Sequence, residues 1–255
     1  MKVKMYLHSL GFLCLIFLLS NCENRDACAD SVSEEEADIV YYYNAYFDFF
    51  HTIESFDFEQ LKDENVLLDK GSDGENAIVY QLDFPIGYTD DNDNSLEGRI
   101  NYVSKNQVWN SPGNEITFEF VNFNFNGTDV EGLKIMEFDS ETDLDWCGGE
   151  DGVIFTFEKD NTVFIGCLEK EITDEEMIIS GSNTLVVNGK GYEMEIANPI
   201  RKENSCGWFT EGTINVIEEN TRVLKYENVC SGVEMTLSNQ EGCHSMELNK
   251  KHNLW

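Results

Sequence analysis

Between residues 34 and 51 the apolar positions keep a helical period. Ile39, Tyr42, Tyr43, Tyr46, Phe49 and Phe50 recur at i, i+3, i+4 and i+7 spacing, which lines one face of a helix with 3.6 residues per turn. Ser33 precedes Glu34, Glu35 and Glu36, so Glu36 is placed to reach back to the Ser33 amide in a capping box. The glutamates also suit the positive end of the helix dipole. The pattern predicts one amphipathic helix over about 34–51, its aromatic stripe packed on the rest of the fold.

From Ala77 onward the period changes to two. Short runs rich in β-branched and aromatic residues predict strands at Ala77–Phe84, Leu96–Val103, Glu115–Phe125 and Leu133–Phe138. Further runs lie at Val153–Phe157, Thr162–Ile165, Met177–Ile179, Thr184–Val187, Tyr192–Ile196, Trp208–Ile217, Arg222–Tyr226 and Val233–Leu237. Asn126-Gly127 and Asn188-Gly189 have the chemistry of primed hairpin turns. Pro85, Pro112 and Pro199 fall at the ends of runs, where a strand tolerates them. Within 115–125, Ile116, Phe118 and Phe120 share one parity and Phe123 and Phe125 the other. One extra residue near Val121-Asn122 returns all five to one face, which predicts a β-bulge there. The reading is an all-β fold of antiparallel sheets, sandwich-like, with one N-terminal amphipathic helix.

The N-terminus reads as an address. Lys2 and Lys4 precede the apolar run from Leu10 to Leu19, which is too short to span a bilayer and suits the core of a signal peptide. Leu19-Ser20-Asn21-Cys22 resembles a bacterial lipobox, with Asn21 in place of the usual small residue. Cys22 is then the lipid-bearing first residue of the mature chain, since two or more acyl chains anchor stably where one does not. The competing reading is a plain secretory signal cleaved nearby. The expected organisation is a signal peptide over 1–21, an acidic tether over 22–33, the helix and a linker over 34–60, and a β domain over 61–255. Location in the cell envelope follows, attached to the outer membrane. Glu23 and Asp26 fit an acidic surface-export signal only loosely.

Charge narrows the partners. The 255 residues carry 17 basic and 49 acidic side chains, a formal net charge of -32. That excludes nucleic acid and leaves a membrane reachable only through the lipid. Of the eight cysteines, Cys14 lies in the signal and Cys22 is assigned to lipid. Cys28, Cys147, Cys167, Cys206, Cys230 and Cys243 remain, an even set that reads as disulfides in an exported chain. Neighbouring strands favour Cys147–Cys167 and Cys206–Cys230, leaving Cys28–Cys243 by elimination, with a free Cys28 as the alternative. No cysteine or histidine spacing suits zinc.

Catalytic motifs are lacking: the sequence has no GxSxG, HExxH, P-loop or GxGxxG. Asp91, Asp93, Ser95 and Glu97 set oxygen side chains at alternate positions, a pattern a calcium ion would take, although the glycine and final glutamate of an EF-hand loop are absent. The competing reading is an acidic hairpin loop. Trp109 and Trp146 stand in loop-like contexts, QVWNSPG and DWCGG, and an exposed indole stacks on sugar faces.

Glu97-Gly98-Arg99-Ile100-Asn101 is echoed by Glu211-Gly212-Thr213-Ile214-Asn215, and Tyr80-Gln81-Leu82-Asp83 by Tyr192-Glu193-Met194-Glu195. Two related β units, about 77–140 and 180–240, are expected. The set Asp83-Phe84, Thr89, Gly98-Arg99-Ile100, Pro112-Gly113, Ile116-Thr117-Phe118 and Asn126-Gly127…Val130-Glu131-Gly132, with Cys206-Gly207-Trp208, Gly212-Thr213-Ile214 and Cys230 later, resembles a family of Bacteroidota outer-membrane lipoproteins with tandem β repeats. Pro85, Tyr88 and Glu227-Asn228-Val229 depart from that pattern. The resemblance implies location and β architecture and carries no active site. The expected function is that of a lipid-anchored, non-enzymatic binding or structural module with a protein or glycan partner. The alternatives are a calcium-stabilised accessory domain and a hydrolase with an unrecognised site.

Overall fold

In a computed structural model, the described residues are 33–54, 67–71, 77–90, 93–203, 206, 209–227, 233–239 and 242–248, with backbone alone at 67–71, 233–239 and 242–248. The signal peptide, Cys22, the tether, Cys28, Asp91, Trp208 and Cys230 lie outside them. One helix, α1 (Glu34–Glu54), precedes β1 (Leu67–Gly71), β2 (Ile78–Thr89), β3 (Ser95–Ser104), β4 (Glu115–Phe125), β5 (Thr128–Phe138) and β6 (Asp143–Thr156). There follow β7 (Asn161–Ile172), β8 (Glu176–Val187), β9 (Lys190–Glu203), β10 (Glu211–Ile217), β11 (Thr221–Glu227), β12 (Val233–Asn239) and β13 (Gly242–Leu248). Among the described residues the architecture is the expected one of antiparallel strands with a single N-terminal helix. The strands form one continuous sheet in chain order, each paired with its neighbours in sequence, so both expected β units belong to a single meander.

Helix α1 starts where the capping box places it. The Glu36 amide donates to Ser33 Oγ at 3.3 Å, and the Ser33 amide donates to Glu36 Oε2 at 3.2 Å. Such a cap is worth about 1 kcal/mol. The helix runs three residues past His51, and more than one stripe of it is buried. Val40, Tyr42, Tyr43, Asn44, Ala45, Tyr46, Phe47, Phe49, Phe50 and Ile53 are all buried. The sheet curls about the helix, as the ring contacts show. Phe49 meets Phe120, Phe123 and Phe125 of β4 and Phe155 of β6, and Tyr46 stacks on Phe164 of β7 at 3.9 Å. Elsewhere around the helix, the Tyr43 hydroxyl donates to Asn183 of β8, and the Tyr226 hydroxyl of β11 donates to Asn44. These buried polar pairs fix the rotation of the helix, since a misplaced helix would leave them unsatisfied.

The curl is built from bulges. The β4–β5 register shifts between Phe120 and Phe123, and Asn122 adopts a φ of 47°, so all five apolar residues of β4 point inward as predicted. Pro85 and Pro199 do not end strands. Both sit inside long strands beside register shifts, because a bulge leaves the proline nitrogen with no ladder bond to make. Both Asn-Gly turns have positive φ at each residue, as type I′ requires. Outward positions are polar and largely acidic, among them Glu97, Glu119, Glu131, Glu137, Glu169, Glu171 and Glu193. That is the reverse of a lipid-facing barrel, whose apolar band points outward. Among the described residues no helix is long and apolar enough to cross a membrane.

Cys147 and Cys167 face each other across β6 and β7 and are joined. At a sequence separation of 20, the chain-entropy account makes this crosslink worth about 3 kcal/mol. Cys206 is also disulfide-bonded. Cys243 lies on β13, where only the backbone is described.

Candidate functional site

Three places concentrate chemistry. The first is the loop between β3 and β4, organised by Asn114, which is fully buried. Its Nδ2 donates to the Trp109 carbonyl at 2.6 Å and to Ser104 Oγ at 3.0 Å, while its Oδ1 accepts from the Asn106 amide at 2.9 Å. The Gly113 amide donates to the Phe138 carbonyl, and Asn110 Nδ2 to the Glu141 carbonyl. So many bonds preset the loop before any ligand arrives. On this frame Trp109 remains 48% exposed and Val108 61%. The indole stands edge-on to Phe138 at 5.1 Å, which props it without covering it.

Trp146 does not join that surface. It is 1% exposed, which corrects the expectation of a loop aromatic. The segment DWCGG is the first half of β6, and strand alternation sends Leu144 and Trp146 inward while Asp143 and Asp145 face out. The indole packs against Tyr46, Phe47 and Phe50 of α1.

Over Trp146 lies the second cluster. Glu54, the last residue of α1, takes Lys134 Nζ of β5 at 2.8 Å on one carboxylate oxygen and Lys170 Nζ of β7 at 2.5 Å on the other. All three side chains are buried. Lys134 Nζ also sits 3.4 Å from the Trp146 ring centroid and 3.9 Å from that of Phe50, a desolvated cation–π arrangement. Burial works to raise the Glu54 pKa, but the attraction of the two lysines outweighs it and holds the carboxyl at about 2. Burial drives Lys134 the other way, well below the ordinary lysine value, outweighing the pull of Glu54, with the charge of Lys170 adding a smaller push. The cluster thus sets two buried lysines on one carboxylate, with burial opposing the charge of Lys134 and the lysines favouring that of Glu54. Composition did not reveal these residues. The signal was alternation: Lys134 has the parity of Met136 and Phe138, and Lys170 that of Leu168.

A third cluster lies at the mouth of a shallow cleft. His51 and Asp48 of α1 face Lys202 of β9 over a floor of Phe47, Met177 and Phe209. His51 Nε2 is 2.8 Å from Lys202 Nζ. At the other end of α1, Glu35 pairs with Lys190 at 2.9 Å and Arg222 at 3.4 Å, and Glu218 pairs with Lys190 at 2.8 Å. These ion pairs tie the helix start to β9 and β11.

The proposed calcium positions do not converge among the described residues. Asp90, not Asp93, organises the β2–β3 turn: its carboxylate accepts from the Asn94 amide at 2.8 Å and from Asn94 Nδ2 at 2.9 Å. Asp93 adopts a φ of 65° as a turn residue. Ser95 and Glu97 belong to β3, flanking the buried Leu96. No group of three or more metal-ligating side chains exists among the described residues. No known protein family, curated protein or solved structure matches the chain.

Proposed function

We propose that this protein is a lipid-anchored module of the cell envelope that binds a glycan through the β3–β4 loop. The observation that carries the binding reading is Trp109, a large aromatic side chain left half-exposed on a loop that the buried Asn114 holds rigid. An indole presents a flat apolar face to the C–H side of a sugar ring, and a preset loop spends little entropy on holding it there. The flanking Gln107 and Asn110 supply amide groups of the kind that meet sugar hydroxyls. The anchor reading rests on Cys22 behind its apolar run, and a disulfide-bonded sheet fits an oxidising compartment.

Binding is tested by titrating the full chain with a panel of polysaccharides. A ligand that quenches tryptophan fluorescence should lose at least tenfold in affinity with Trp109→Ala, while the melting temperature stays within about a degree because the side chain is a surface group. Unchanged affinity in that variant, or no binding across the panel, overturns the glycan reading. The anchor is tested separately. Expressed in a bacterial host, the wild type should label with radioactive palmitate and partition into detergent, and Cys22→Ser should lose both. A mature terminus at any other residue by intact mass would remove the lipid and leave a secreted domain.

A further inference from the structure

The cleft beside α1 holds a lysine that ends on an imidazole. Lys105, Lys134 and Lys170 each end on a carboxylate, as does Lys190. Lys202 ends on the imidazole of His51, Nζ to Nε2 at 2.8 Å. The pair stands over the side chains of Phe47, Met177 and Phe209, and the depression beneath it has room for a group of about 20 Å³, the size of a water molecule or a carbonyl. We propose that Lys202 is a nucleophilic amine and that this cleft captures small aliphatic aldehydes as Schiff bases.

The surroundings raise the share of free amine. Partial burial and the charge of Lys170 push the Lys202 ammonium below the usual lysine range, against the pull of Asp48. His51 is solvent-exposed on one side; burial of its other side, with the charges of Lys202 and Lys170, lowers its pKa to about 4 against the pull of Glu54, so at neutral pH the ring is uncharged. It then keeps one lone pair, which in the tautomer protonated on Nδ1 lies on Nε2 and faces the lysine. In the reaction the Nζ lone pair attacks the carbonyl carbon, forming the C–N bond as the π pair moves to oxygen. His51 Nε2 takes a proton from nitrogen and passes it to that oxygen, giving a carbinolamine. Loss of water leaves the imine. One amine and one aldehyde become one imine and one water, with no change in oxidation state. His51 is a positioning and proton-carrying residue, and Lys202 forms the bond.

The test is site-resolved reductive alkylation of the full chain with limiting propanal and cyanoborohydride near neutral pH, read by peptide mass spectrometry. Lys202 should be modified several-fold faster than Lys105, because a lowered amine pKa leaves a larger fraction as the free amine near neutral pH. Modification of Lys202 at the same rate as Lys105 overturns the proposal. In His51→Gln the Lys202 rate should fall several-fold at every pH while the midpoint of its pH profile stays in place. A purely structural role for His51 would instead change all accessible lysines together, and the wild-type ratio of Lys202 to Lys105 then decides by itself.

Discussion

Glu54→Gln is expected to destabilise the fold by about 3–5 kcal/mol, because it strands two buried ammonium groups with no counter-charge. Lys134 and Lys170 both reach Glu54 within 2.8 Å, and both side chains are buried. Lys134→Met should be far milder. It removes one of two cations from a site with one anion, keeps the apolar contact with Trp146 and Phe50, and leaves Glu54 paired with Lys170. The difference between the two variants in urea midpoint separates charge balance from packing, since either substitution removes one member of the same cluster. Equal losses in both would mean that packing alone sustains the site. The cluster also sets a sign for pH dependence. The folded Glu54 carboxyl, at about 2, lies below its ordinary value of 4.5. Its contribution is therefore complete above about pH 4.5 and fades as pH falls towards 2. Glu54→Gln should lack that part of the acid transition.

Gly98→Ala is expected to cost about 3 kcal/mol or more, a large loss for so small a change. Gly98 has a φ of +98°, and a Cβ there would stand 2.0 Å from the Asn122 carbonyl oxygen. That oxygen belongs to the backbone of the β4 bulge, so no side chain can turn aside. The cost combines left-handed strain of about 1–2 kcal/mol with overpacking of about 1–3 kcal/mol. Gly113→Ala provides the control: its φ is +76° with nothing within 4 Å of the added carbon, so only the strain should appear. Equal effects at the two glycines in thermal melts would refute the close-packing account. Gly212 repeats the arrangement, its Cβ meeting Ile200 Cα at 2.7 Å. The echo between Glu97-Gly98-Arg99-Ile100-Asn101 and Glu211-Gly212-Thr213-Ile214-Asn215 thus has a steric meaning: in each, glycine lies against a neighbouring strand at an irregularity in the ladder.

Local rules were readable where one residue type dominates a position. The Ser33–Glu36 cap, the Asn-Gly turns, the 115–125 strand with its bulge and the Cys147–Cys167 pairing all follow from chemistry within one hairpin or one helical turn. What escaped the sequence depended on distant partners. Met177–Ile179 and Thr184–Val187 read as two strands because Gly181 interrupts them, yet β8 runs through. The Cys147-Gly148-Gly149 stretch looked like a loop for the same reason, and it carried Trp146 out of the expected core. Lys134 and Lys170 read as surface residues by type, and only the carboxylate at the end of α1 makes their burial tolerable. The exposed Trp109 was legible as a candidate, but the rigidity of its loop was not, because Asn114 is an ordinary residue until its carbonyl and amide partners are placed.

A sheet in which every strand pairs with its chain neighbour can assemble hairpin by hairpin, with short loops to close and little search. The helix changes that economy. It is synthesised before every described strand, and its aromatic residues have no sheet to meet until several hairpins have curled round it. Folding is therefore a race between zipping the meander and enclosing its first element, with Phe47, Phe49 and Phe50 open to other chains until the enclosure is complete. A chain made from its N-terminus carries that exposed helix longest, so encapsulation sets the interval in which the protein is most open to aggregation.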